Sequence, residues 1–549
     1  MKLRILVLIT VVPLLLAAIP AAILDAHACT NILVTKGASA DGSVMITYSA
    51  DSGGSLAHLF HLPAADHEAG ELVEPVNWEQ RYSGCQVKQV AHTYRVINLM
   101  NEHQLTIGET TYGGREELHN EDVGLNYAEL ISLALQRFKT AREAVQGMGD
   151  LMQEYGYSDE GETFSVADKK EVWMMDIIGK GPDQKGAVWV ACRVPDGTIT
   201  VHANMPRIGT FPLDDPDNWL YAPDVIEFAI EKGYHDPASG QPFSFRQAFD
   251  PPSPYAMRVC AARVWSIYRR SAPSQHFSDD YHRGIEGSED YPLFIKPDKK
   301  LTVRDVMSLM RDHFEGTPYD MTQGIDAGPF GSPYRWRDLK WKVDDVEYCW
   351  ERPISTQQAG FVMVSQCRDW LPDAIGGIYW YTPDDCYTTC FTPFYAGIGR
   401  VPRSFTLGDV DRFSWDSAWW VYNFVSNRVY NCYSRIMPEV AEVQQEMEDA
   451  IFAMQPAVES TALQLYEQDP ELAEKYLTTY CVSTAEGLLE RWKELGEFIL
   501  TKHNDGYVRE PQVKSEGVEY PDAWLRRILA ENPDQFKLPQ WQEEEEATP

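Results

Sequence analysis

An almost continuous apolar run from Ile5 to Leu24 is opened by Lys2 and Arg4, closed by Ala26-His27-Ala28, and followed directly by Cys29. A positive start, an apolar centre and a small-x-small end together read as a secretory leader cleaved after Ala28. The consequence for folding is sharp: Cys29 becomes the first residue of the mature chain. Cys29-Thr30-Asn31-Ile32-Leu33-Val34 then passes from a small polar cap straight into a strand-like apolar segment. An N-terminal cysteine can be a complete catalytic unit. Its thiol is the nucleophile, and its own α-amine, with a pKa of about 7.7–8.0, is the general base. Two other fates stay open. A run of about 20 apolar residues is long enough to cross a bilayer, so the leader can instead be a retained membrane anchor. Cys29 can also be lipidated, although Ala26 and His27 fit poorly with the Leu-small-small-Cys pattern of that processing, and acylation would remove the base.

Removing 28 of the 549 residues leaves ample chain for a large core and, by length alone, for two or more domains. Neither an internal repeat nor a clear linker divides 29–540, so one elaborated domain is expected there, followed by an acidic tail at 541–549 that includes Glu543–Glu546. A formal charge of −34 repels nucleic acid and anionic lipid, and nucleic acid is excluded as a partner on that ground. Besides Cys29 there are nine cysteines, an odd number, so at least one more thiol is free if the others pair within the chain. Cys386 and Cys390 are the only close pair, without a second Cys/His pair at zinc-like spacing.

Strand-like runs are expected at Ile32–Thr35, Val44–Thr47, Val96–Leu99, Thr163–Ala167, Val172–Asp176, Val188–Cys192 and Thr198–His202. Helical patterns interrupt them at Tyr127–Gln136 and Ala141–Tyr155. Strands return at Gly360–Val364 and Gly377–Tyr381. The chain is strongly helical after Met437, where Ser483-Thr484-Ala485-Glu486 reads as a capping box opening a helix through Leu500. The aromatic, Pro- and Gly-rich stretch from Thr317 to Trp336 reads as an ordered decoration rather than a linker.

The common hydrolase signatures are missing: there is no Gly-x-Ser-x-Gly elbow, no His-Glu-x-x-His helix and no Gly-x-x-x-x-Gly-Lys loop. What the chain does carry is a set of short blocks in order. Cys29 to Ser39 with Asp41-Gly42-Ser43 is followed by Asn101-Glu102, Gly108-Glu109-Thr110, Val201-His202-Ala203-Asn204 and Gly328-Pro329-Phe330-Gly331. Glu351-Arg352-Pro353-Ile354-Ser355, Pro393-Phe394-Tyr395-Ala396-Gly397 and Asp416-Ser417-Ala418-Trp419-Trp420 complete it. This set resembles the C69 dipeptidases, N-terminal-nucleophile hydrolases related to secernins and, more distantly, to penicillin V acylase and bile salt hydrolase.

The resemblance implies an α+β fold: a four-layered αββα sandwich whose first mature strand presents Cys29, with a helical C-terminal elaboration. It implies an exported cysteine dipeptidase, periplasmic or extracellular, acting on small peptides with no metal and no organic cofactor; a homo-oligomer is left open. It lends roles to three further residues. Asp51 would hold the free amine of Cys29, Asn204 would supply a side-chain amide to the oxyanion hole, and Arg263 would stand near the thiol, with Arg258 as the competing assignment. A second oxyanion donor falls in Gly108-Glu109-Thr110-Thr111 without a committed side chain. One departure concerns the substrate pocket: family members often carry Arg-Asn where this chain has Tyr48-Ser49. An amidase or acylase of N-acyl amino acids or other small amides is the nearest rival function. A lipidated, non-catalytic surface protein is the rival of a different class.

Overall fold

A computed structural model describes residues 29–53, 56, 58–120, 124–509 and 516–539. The expected leader and the acidic tail lie outside the described residues. Two antiparallel sheets dominate. Their main strands are β1 (Asn31–Val34), β2 (Val44–Asp51), β3 (Thr106–Tyr112), β4 (Gly161–Ala167), β5 (Val172–Gly179), β6 (Ala187–Arg193), β7 (Ile199–His202), β8 (Ala359–Cys367), β9 (Ile378–Pro383) and β10 (Thr392–Tyr395). One six-stranded sheet runs in the order β7-β1-β2-β8-β9-β10. The other, of eight strands, runs Trp219–Tyr221, β6, β5, β4, β3 and then the short segments Met100–Asn101, Val96–Ile97 and His61–Leu62.

Eight of these ten strands were expected from their apolar runs, and the structure extends most of those by one to four residues; β3 and β10 were not expected. β5 shows why the runs are nearly unbroken rather than alternating. All eight of its residues are buried, so neither of its faces meets solvent. The two sheets approach closely where β3 meets β1 and β2. A Cβ on Gly108 would lie 2.9 Å from Asn31 Nδ2 and 3.1 Å from Tyr48 Cβ, so only glycine lets the layers close there.

Helices α1 (Tyr127–Arg137) and α2 (Ala141–Tyr155) pack on the eight-stranded sheet. Each opens with a reciprocal capping box, Asn126 with Glu129 and Thr140 with Glu143. After α3 (Ala262–Ser271), the C-terminal helices are α4 (Ala418–Asn431), α5 (Tyr433–Gln468) and α6 (Pro470–Lys502); α4 packs on β9 and α6 on β10. The capping box expected at Ser483 is not a helix start. α6 begins thirteen residues earlier, at Pro470, where the Asp469 side chain accepts the Glu471 N–H. The physical reason is that the buried stripe Ala473, Leu477, Cys481, Ala485 and Leu488 continues unbroken through Ser483, so tertiary packing carries the helix past a local start signal. All ten cysteines are unpaired, Cys386 and Cys390 included. Among the described residues no helix is long and apolar enough to cross a membrane.

Candidate active site

Cys29 sits just ahead of β1, against the end of β2. Thr30 N–H donates to Ser49 Oγ at 3.0 Å, and Ser49 N–H donates to the Thr30 carbonyl at 3.2 Å, which ties the chain's entry into the sheet. The backbone N–H of Asp51 is directed at the Cys29 sulfur. Opposite Asp51 the pairing of β2 with β8 slips between Ala359 and Phe361, a bulge of the kind that re-aims side chains at sheet ends. The result is a small cavity lined by Cys29, Tyr48, Asp51, Trp78, Glu109 and Tyr127, with Gly360 and Phe361 of the bulge in its wall.

Its electrostatics are unusual for a thiol site. Cys29 Sγ lies 3.7 Å from Glu109 Oε1 and 4.0 Å from the Tyr48 hydroxyl, and Tyr48 donates to that same Glu109 oxygen. Burial pushes the Cys29 thiol up, and the carboxylates of Glu109 and Asp51 push it further. Glu162 lies beside Glu109 and accepts the Thr111 hydroxyl at 2.8 Å; burial and the Glu109 charge push its carboxyl well above the ordinary range. Asp51 is fully buried. Burial raises it to about 6 against the opposing pull of Arg352 and Arg263. Arg352 Nη2 donates to Asp51 Oδ2 at 2.6 Å, whereas Asp51 Oδ1 is buried with no hydrogen-bond partner.

Arg263, on α3, is completely buried beneath Cys29 and reaches its main chain rather than its sulfur. Nη1 donates to the Cys29 carbonyl at 2.5 Å and to Thr30 Oγ1 at 2.9 Å; Nη2 donates to Asn204 Oδ1 at 2.9 Å. Burial and the nearby Arg352 lower it to about 9. Arg258, the competing assignment, lies in the π-helical turn before α3 and pairs with Glu351 instead. Asn204 follows β7 in a left-handed conformation, φ 54°, which Asn tolerates better than most residues. Its Nδ2 donates to the Thr111 carbonyl at 2.6 Å. Cys29, Asp51, Asn204 and Arg263 therefore form one connected group, with Cys29 and Asp51 lining the cavity and Arg263 linking the Cys29 main chain to the Asn204 side chain.

Sequence reasoning assigned no role to Tyr48, Glu109, Glu162, Trp78, Tyr127 or Arg352. Two of them stand inside the blocks already singled out, Gly108-Glu109-Thr110 and Glu351-Arg352-Pro353. Tyr48 occupies the position where an Arg was noted as missing, and the guanidinium groups come from Arg263 and Arg352 instead. Among the described residues no group of three or more His, Cys, Asp or Glu is placed to hold a metal ion.

The profile of peptidase family C69 matches residues 28–446. A protein of Salmonella dublin named a probable dipeptidase is 27% identical over 402 residues, 70% of this chain and 84% of that protein. Dipeptidase A of Lactobacillus helveticus is 24% identical over 423 residues, 72% and 80% of the respective lengths. A dipeptidase of Bifidobacterium longum is 26% identical over 418 residues, 68% and 72%.

Proposed function

The chain belongs to peptidase family C69, and from that premise we propose that it is an exported dipeptidase whose nucleophile is the thiol of Cys29 at the mature N-terminus. The observation that carries this is Asp51 Oδ1, a buried acceptor without a partner beside Cys29. Natural interiors rarely leave a carboxylate oxygen unmet. Removing the leader creates a new cationic donor at that spot, the α-ammonium of Cys29. The two sheets with helices packed on them support an αββα N-terminal-nucleophile sandwich, with β1 presenting the nucleophile.

In the proposed reaction the Cys29 amine, held by Asp51, takes the thiol proton, and the thiolate attacks the peptide carbonyl. Arg263 and the Thr111 carbonyl fix the amide plane of Asn204, whose Nδ2 donates to the oxyanion; such a donor contributes about 3 kcal/mol to the transition state. The amine then protonates the departing amino group, and water activated by the same amine releases the acyl-enzyme. No step calls for a metal or an organic cofactor. The dipeptidase names of the relatives support a dipeptide substrate.

Intact-mass analysis and N-terminal sequencing of the exported protein test the processing step, with a chain starting at free Cys29 as the expected result. Cys29→Ala should abolish dipeptide hydrolysis by more than about a thousandfold, and a form that retains the leader should be equally inactive because it has no free cysteine amine. Full activity in either form would overturn the mechanism. Faster turnover of N-acyl amino acids than of dipeptides would move the substrate to the amidase class.

A further inference from the structure

We propose that Glu109, oriented by Tyr48, receives the α-ammonium group of the substrate and so restricts the Cys29 site to peptides with a free amino terminus. This rests on the dipeptidase reading and adds the residue that would impose it.

Distance comes first. The α-nitrogen of a peptide is two bonds, about 2.5 Å, from the first carbonyl carbon. A carbonyl poised for attack lies about 3–3.5 Å from the nucleophile. A carboxylate that is to meet the ammonium at about 2.8 Å can then stand no farther than about 8–9 Å from the sulfur. Glu109 Oε1 lies inside that limit, at 3.7 Å from Sγ. The composition of the cavity agrees. Glu109 and Glu79 are its carboxylates next to Asp51, the aromatic rings of Trp78, Tyr127, Tyr48 and Phe361 line it, and no Lys or Arg is among its lining residues. Carboxylates set among aromatic faces are the chemistry that recognises an ammonium ion. Each of the two glutamates is also held in place by a phenol, Glu109 by Tyr48 and Glu79 by Tyr127.

Charge distribution points the same way. Glu162 is pushed toward its neutral form by burial and by the Glu109 charge. The Glu109 carboxylate opposes thiolate formation at Cys29. A bound ammonium would cancel it, so the correct substrate would itself ease removal of the thiol proton, and an acylated amine would not.

The test compares alanyl-leucine with propionyl-leucine, which differ only in the amino group, on the mature enzyme and on Glu109→Gln. The wild type is expected to favour alanyl-leucine in kcat/KM by at least about 100-fold, the loss typical of one missing partner in a buried charge pair. Glu109→Gln should bring the ratio within about fivefold of unity, chiefly through the free-amine substrate. A residue that merely supports the fold would lower both rates together and leave the ratio unchanged, and that result overturns the inference. If Glu109→Gln does not fold, Glu109→Asp, which retracts the charge by one methylene, is read the same way and should lower the ratio at least about tenfold; an unchanged ratio there overturns it too. A wild type that prefers propionyl-leucine would instead refute the dipeptidase reading itself.

Discussion

Two clusters of buried polar side chains draw on the same strands, and they are built to opposite rules. At the first, His202 on β7 meets Thr110 Oγ1 through Nδ1 and Ser165 Oγ through Nε2, both at 2.7 Å, and Ser165 also meets the Asn31 side chain at 3.0 Å. Every member is neutral; burial lowers His202 to about 3. At the second, Glu109, the immediate neighbour of Thr110, shares a cavity with Cys29 and Asp51 and abuts Glu162. There an oxygen of Asp51 lacks a partner, and the carboxyls crowd one another. The first cluster is a seam that fastens two sheets, with each ring nitrogen satisfied. The second leaves electrostatic interactions unfinished, and a cation entering the cavity completes them. Local strain and unmet polarity belong where a ligand will sit.

The sharpest break in this contrast is Arg352→Met. It would remove the guanidinium that pairs with buried Asp51, at a cost of about 3–5 kcal/mol in stability. Chemical denaturation of that variant beside Asp51→Asn/Arg352→Met should show the double variant recovering most of the loss while remaining inactive. Asp51→Asn alone comes next. With the carboxylate gone, the Cys29 ammonium loses its counter-charge and the amine pKa falls. The acid limb of the kcat/KM profile should therefore move to lower pH while the plateau drops about 100-fold. An unmoved limb would separate Asp51 from the amine.

The smallest effect belongs to the neutral seam. His202→Gln should cost about 1–3 kcal/mol, the scale for unsatisfied buried partners, and leave turnover within a few fold. The pH dependence of stability carries a definite sign. The folded pKa of His202 is depressed to about 3 from about 6.5, so between those values the unfolded chain binds a proton that the folded chain refuses. Its contribution is intact above pH 6.5 and is lost as pH falls toward 3. Thermal melts of His202→Gln should show a flatter decline over that window than the wild type.

Most of the strands, though not β3 or β10, and the first two helices were legible because their causes are local. Nearly unbroken apolar runs such as Val172–Ile178, interrupted only by Asp176, and the capping pairs at Asn126 and Thr140 lie within a few residues of what they determine. Cys29 was singled out for the same reason, through the leader-like run that precedes it. The Asp51–Arg352 pair was not, because 301 positions separate its members and no periodicity connects them. The block containing Arg352 was visible, but its chemistry depends on which buried charge it meets. Arg263 was correctly separated from a surface arginine only by the fold, which places it under the Cys29 carbonyl. Ser483 shows the opposite failure, a local signal overruled by the buried stripe of a 33-residue helix.

Chain ends fray, and the first residue of a protein is ordinarily among its most mobile. A terminus created at Cys29 would behave otherwise. Arg263 grips the carbonyl of that residue, Thr30 is bridged to Ser49, and Asn31 is paired with His202. Every anchor lies on the side of the scissile bond that is kept, so loss of the leader releases none of them. The newly exposed amine would be left to turn about one bond on a fixed pedestal, with its thiol already in place. Maturation would then create the catalytic base without any refolding, and amide hydrogen exchange at residues 30–34 should be as slow after cleavage as in the strands behind them.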